Sequence, residues 1–186
     1  MDGAHLSGGL PDPARDGARA FRAILDAMAR PGRIVTAGHA RAPGCSPAAA
    51  TALAVLCDPE TPLHVAEPTE GLRNWIAFHC AAPLAPPGAC AFALGRWEAL
   101  GPLHVYPVGT PDYPDRSATL IVEMDALSED GPTLSGPGID GTARLSIPGP
   151  DALRANNALF PLGVDVILCA GDRLACLPRS TRIGGG

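Results

Sequence analysis

Lysine is missing. All 14 basic residues of this 186-residue chain are arginine. With no lysine amine there is no Schiff base, so internal-aldimine chemistry with pyridoxal phosphate is excluded, as is a Walker lysine. Long apolar runs are also missing. The longest, residues 48–57, is interrupted by Thr51 and falls far short of the roughly 20 residues a membrane span needs. The first 17 residues lack a basic start and an apolar core, so no signal peptide is expected, and the cytoplasm is the expected location. No basic cluster stands out: the arginines are scattered singly and the net charge is −5, which argues against a nucleic-acid footprint. The six cysteines form no C-x₂-C pair, so neither a zinc ribbon nor a disulfide scaffold is expected, and no metal. Reduced, mostly buried thiols fit better.

What is present points to one α/β domain. A hydrophobic fraction of 46% rules out disorder and supplies a core. The most distinctive stretch lies near the C-terminus, where the apolar runs 164–170 and 173–177 flank Gly171-Asp172. That pattern predicts a β-hairpin with a two-residue turn, placing Cys176 opposite Ile167. Asp165 inside the first strand needs a donor, which Arg179 or Arg182 could supply, and Pro178 stops the second strand.

Upstream, Asp12 and Pro13 predict a helix over 13–30, with Ala18, Phe21, Leu25 and Met28 as its apolar stripe. Ser46-Pro47 opens a second helix to about residue 57, apolar nearly all round, and Thr69 caps a third that carries Trp75 and His79. Strands are predicted at 33–36, 62–66, 89–94, 118–124 and 143–147, with a helical turn at 97–100 and a helix at 150–159. The proline-rich segment 101–116 is a long loop of the kind that usually has a function. Helices and strands alternate early and short strands cluster late, which predicts a three-layer sandwich around a mixed sheet. Residues 1–12 are expected as a flexible N-terminus, 13–183 as a single domain and 184–186 as a disordered tail.

Chemistry-bearing motifs are few. Residues 136–141 match G-x-G-x-x-G, but they lead into a strand rather than a helix, so a structural turn is expected. The five histidines show no H-x₃-H pair, and Ser117 has no G-x-S-x-G elbow. His79, near a helix C-terminus, is the best candidate histidine. Arg22, Arg73, Arg116 and Arg179 are candidate phosphate-binding cations, since guanidinium suits bidentate anion recognition; for each, a solvated ion pair is the bland alternative.

A set of short strings in fixed order goes further. Phe21-Arg22, Leu25, Ala27-Met28 and Pro31-Gly32 come first. Thr61-Pro62-Leu63 and Arg73 with Phe78-His79 follow, then Ser117 to Ile121 and Gly136-Pro137-Gly138-Ile139. Phe160-Pro161-Leu162-Gly163 with Asp165 and Pro178-Arg179 with Thr181 complete it. Together, over roughly 13–183, these resemble the PhnH family of the bacterial carbon–phosphorus lyase system. The resemblance implies a fold like the large domain of pyridoxal-phosphate transferases, without that cofactor and with no other. It implies an accessory, homodimer-forming subunit joined to PhnG, PhnI and PhnJ. That system transfers a phosphonate to the ribose of a purine nucleoside triphosphate, displacing the base, before a separate iron–sulfur subunit breaks the carbon–phosphorus bond. The alternative is a small-molecule-binding protein that lends arginines to a shared site. No catalytic set is implied; Arg22, His79, Arg116 and Arg179 are the expected substrate contacts. The 101–116 loop and the hairpin edge are the expected partner contacts.

Overall fold

The computed structural model describes residues 7–184; the sequence-based expectations for residues 1–6 and for 185 and 186 lie outside the described residues. Ahead of the first helix, the Gly8 carbonyl accepts from Arg41 N–H at 2.7 Å and Leu10 packs against the core.

Helix α1 spans Pro13–Ala29, and Asp12 caps it by accepting from Arg15 N–H at 3.1 Å. The expected core stripe is displaced. Ala20, Ile24 and Ala27 face the core, whereas Phe21 is 51% and Leu25 57% exposed. Both sets have 3-4 spacing, so periodicity alone could not choose between them. The small alanines decide it, because they let the helix lie close enough for Ile24 O to meet Cys176 Sγ at 4.0 Å.

Helix α2 (Pro47–Leu56), capped by Ser46, is buried all round from Ala48 to Leu53. Its one polar core residue is Thr51. The Oγ1 accepts from His39 N–H and Ala40 N–H, both at 2.8 Å, and donates to Pro47 O at 2.7 Å. Helix α3 (Glu70–His79), capped by Thr69, buries Leu72, Trp75 and Ile76. No helix among the described residues is long and apolar enough to cross a membrane.

The main sheet contains β1 (Val35–Thr36), β2 (Leu63–Val65), β3 (Phe92–Arg96), β4 (Thr119–Glu123), β7 (Asp165–Ala170) and β8 (Arg173–Leu177). Their order is β1-β8-β7-β4-β3-β2. The four strands β2, β3, β4 and β7 run parallel, while β8 is antiparallel to β7 and β1. The sheet is therefore mixed, as expected. β3 starts later than predicted because Pro87–Ala89 makes a 3₁₀ turn. The hairpin register places Ile167 opposite Cys176, and Gly171 takes φ 59° in its turn. The hairpin is not a free edge. β1 pairs with Arg173 and Leu174, and Leu174 to Leu177 are all buried.

Alternation along the strands builds two cores. Ile121, Ile167, Cys169, Leu174 and Cys176 point to one face with α1, α2 and α3. Leu120, Val122, Val166, Leu168 and Ala175 point to the other. Each fully buried Val, Leu or Ile among them contributes about 1.5–3 kcal/mol. The second face is covered by Leu100 of the one-turn helix α4 (Trp97–Leu100), by Tyr106 of the long loop, by Leu153 of α5 (Pro150–Asn157) and by a small antiparallel sheet. That sheet has the order β6 (Ala143–Arg144), β5 (Thr133–Ser135), β9 (Arg182–Ile183). The layers are helices, mixed sheet, then small sheet with α5. The G-x-G-x-x-G segment turns between β5 and β6. Gly138 has φ 80°, and a Cβ there would lie 1.9 Å from Ala29 O, so the residue serves close packing against the end of α1.

Thr51→Val keeps the shape but strands the buried Ala40 N–H, at a cost of about 1–3 kcal/mol, while the His39 N–H retains Ala37 O at 3.2 Å. Urea unfolding should show a loss of that order, and an unchanged midpoint would refute the role of Thr51.

Candidate functional site

Strands covered on both faces hold charge only at their ends. The carboxyl ends of β2, β3 and β4 carry several polar groups, and they open into a cleft of about 380 Å³. In open sheets of this kind, ligands bind outside the carboxyl ends of parallel strands. β2 delivers Val65 and, two residues on, Glu67. β3 delivers Leu94, Gly95 and Arg96, and β4 ends on Glu123. Opposite them runs the loop Gly44, Cys45, Ser46 that leads into α2, and Leu72 of α3 completes an apolar floor.

Glu123 is the half-buried carboxylate of this cleft. Its Oε1 accepts the Ser46 N–H at 2.8 Å, a bond spanning 77 residues of sequence. Burial raises its pKa above the ordinary value, opposed by the hydrogen bonds from Ser46 and by the Arg96 charge. Arg96 pairs with Asp125 at 2.9 Å, but the side chains are 58% and 85% exposed, so the pair is weak and its guanidinium can be redirected. Cys45 is inert as a nucleophile, because burial pushes its thiol up to about 12 and keeps it protonated.

The start of α2 has no donor left for an anion. Pro47 has no N–H, Ala48 N–H donates to Gly171 O at 2.9 Å, and Ala49 N–H donates to Ser46 Oγ at 3.2 Å. Ala50 N–H closes the first helical turn on Ser46 O. The usual attraction of a helix N-terminus for phosphate is already satisfied internally.

The residues singled out from sequence lie elsewhere. Arg22 is exposed on α1. His79 ends α3 with its ring 4.7 Å from Trp75 and 4.9 Å from Phe78, and it lines a groove of about 470 Å³ with Gly9, Leu10 and Ala54. Arg116 is exposed, its guanidinium 4.1 Å over the Tyr113 ring. Arg73 borders a third groove with His64 and Leu84. Arg179 is engaged internally: Nη2 meets Asp165 Oδ2 at 2.5 Å and Nε meets Oδ1 at 3.1 Å. Its other donors reach Pro114 O at 2.7 Å and the Ser117 hydroxyl. Asp165 thus finds the donor its sequence context demanded. The pair leaves Arg179 tying the 101–116 loop to the hairpin. No cavity described here is lined by two of Arg22, His79, Arg116 and Arg179.

Glu67, Arg96, Glu123 and Ser46 were not singled out from sequence. The available signal is a carboxylate closing the strand predicted at 118–124, which matters only once the strand is known to be parallel.

Residues 8–184 match a family model, that of the bacterial phosphonate metabolism protein PhnH. The chain belongs to the PhnH family. A relative from Rhizobium meliloti (strain 1021) is 37% identical, over 95% of this chain and 94% of its own. It is the α-D-ribose 1-methylphosphonate 5-triphosphate synthase subunit PhnH. A putative C–P lyase subunit protein, HtxG of Stutzerimonas stutzeri, is 34% identical over 88% of this chain and 84% of its own. For a PhnH family member, the ordered strings found in the sequence therefore include both a structural clamp, Asp165 with Arg179, and exposed positions such as Arg22.

Arg179→Ala should destabilise the fold by about 2–4 kcal/mol, since it leaves the largely buried Asp165 carboxylate without its counter-charge and with only the backbone N–H of residue 179 as donor. Chemical denaturation measures this; a loss within about 0.5 kcal/mol of zero, the range of an ordinary surface substitution, would contradict the clamp.

Proposed function

We propose that this chain is a subunit of a carbon–phosphorus lyase complex serving phosphonate catabolism in the cytoplasm. Its role is accessory to the transfer of a phosphonate onto the ribose of a nucleoside triphosphate. The observation that carries the reading is the family match over nearly the whole chain, with two relatives both named as subunits of such systems. The site geometry agrees, because the strand-end cleft offers hydrogen-bonding groups and a protonated thiol rather than an activated nucleophile.

Partners in this reading are PhnG, PhnI and PhnJ, together with a second copy of the chain. Two surfaces suit them. One is the 101–116 loop, held in place by Gly163 N–H on Val108 O and by Arg179 on Pro114 O, with Tyr113 exposed on it. The other is the outward face of α1 with Phe21 and Leu25, which takes the place of the hairpin edge. The mixed sheet with helices on one face also supports a likeness to the large domain of pyridoxal-phosphate transferases. A second reading, in which the chain lends arginines to a shared anion site, rests on Arg22 and Arg116, both exposed.

Affinity purification of the tagged chain, from cells given a phosphonate as their only phosphorus source, tests this directly. Three further subunits should co-purify in fixed ratio; recovery of the chain alone, or only as a homodimer, would overturn the subunit role. Unchanged phosphonate affinity of that complex with Arg22→Ala and Arg116→Ala would reject the second reading.

A further inference from the structure

The strand-end cleft combines three features that together select a ligand. Its rim mixes acceptors, the carboxylates of Glu67 and Glu123, with a donor, the Arg96 guanidinium. Its floor is apolar, made by Val65, Leu72 and Leu94. Its charge balance is negative, because the two carboxylates face the single guanidinium of Arg96 and the amides at the start of α2 are spoken for. A phosphate or phosphonate would meet two carboxylates against one guanidinium and no free amide at the start of α2, so an anion is disfavoured. Hydroxyl groups donate and accept at once, so a vicinal diol can bond to a carboxylate and a guanidinium together. The carbon face of a sugar ring would cover the apolar floor. A volume near 380 Å³ lies at the lower end of small-molecule pockets and suits one such ring.

We infer that this cleft binds the pentose ring of a ribonucleoside or free ribose through its 2′- and 3′-hydroxyls, held by Glu123, Glu67 and Arg96, and not through phosphate. The choice of ribose among sugars rests on the subunit reading; the choice of a diol over an anion rests on the cleft itself. Glu123 is the anchor, because its bond to the Ser46 amide fixes the carboxylate in one orientation.

Amide chemical shifts of the full chain, titrated separately with adenosine, ribose, 2′,3′-dideoxyadenosine, inorganic phosphate and methylphosphonate, test the inference. Adenosine should shift Ser46, Gly95 and Glu123. Ribose should shift the same amides at higher concentration, and dideoxyadenosine should bind about tenfold more weakly or worse. Phosphate and methylphosphonate should leave these amides unmoved. Glu123→Gln retains an oxygen for the Ser46 N–H while replacing the other acceptor by a donor, so it should fold and weaken adenosine about tenfold. Should that variant fail to fold, Glu67→Gln makes the same comparison at the rim. Equal binding of dideoxyadenosine, competition by phosphate, indifference to both Gln variants, or no shift with adenosine would each overturn the inference. None of those outcomes touches the subunit reading, which fails separately if no subunits co-purify.

Discussion

A parallel sheet covered on both faces has no room for charge along its strands, and this constraint sends carboxylates to the strand ends. β4 and β7 make the case within one paired ladder. Thr119 lies opposite Asp165 at the starting end, and Glu123 lies opposite Cys169 at the finishing end. Between them every residue of β4 and β7 is buried. The two carboxylates are met in different ways. Asp165 receives a guanidinium and a backbone amide from Arg179, with side chains only 21% and 14% exposed. Glu123 receives a backbone amide from Ser46, and its charged form is disfavoured by burial.

That difference separates architecture from function. At the starting end the clamp ties the proline-rich loop to the hairpin through Arg179. At the finishing end, the loop before α2 stands off from β2 and β3, and a cleft remains. A perturbed carboxylate in a cleft is where binding chemistry is expected. The same division explains why an arginine in a motif shared with the PhnH family can be structural, while the glutamate that faces the cleft lies in no short string that stands out.

How much of this was legible depended on the range of the interaction involved. The caps at Asp12, Ser46 and Thr69 and the hairpin register rest on residues within about a dozen positions of one another, and pattern alone found them; for Asp165 the pattern narrowed the donor to Arg179 or Arg182, and the structure selects Arg179. The core face of α1 was misplaced because two sets of residues share helical spacing, and only the close approach of β8 selects the alanine-rich one. The strand expected at 143–147 is reduced to two residues, since it belongs to a small sheet whose other strands come from residues 133–135 and 182–183. The cleft was out of reach for the same reason: Ser46, Glu67, Arg96 and Glu123 meet only through the strand order, which no local window contains. Family membership was legible because it depends on order along the chain, not on contact in space.

The division between the two carboxylates is the central claim, and one paired comparison tests it. Glu123→Gln and Asp165→Asn would each be measured for thermal unfolding and for growth on a phosphonate as sole phosphorus source. The account predicts that Asp165→Asn lowers the melting temperature, whereas Glu123→Gln leaves it unchanged and abolishes or slows growth. Normal growth with Glu123→Gln, together with an unshifted melting temperature for Asp165→Asn, would contradict it.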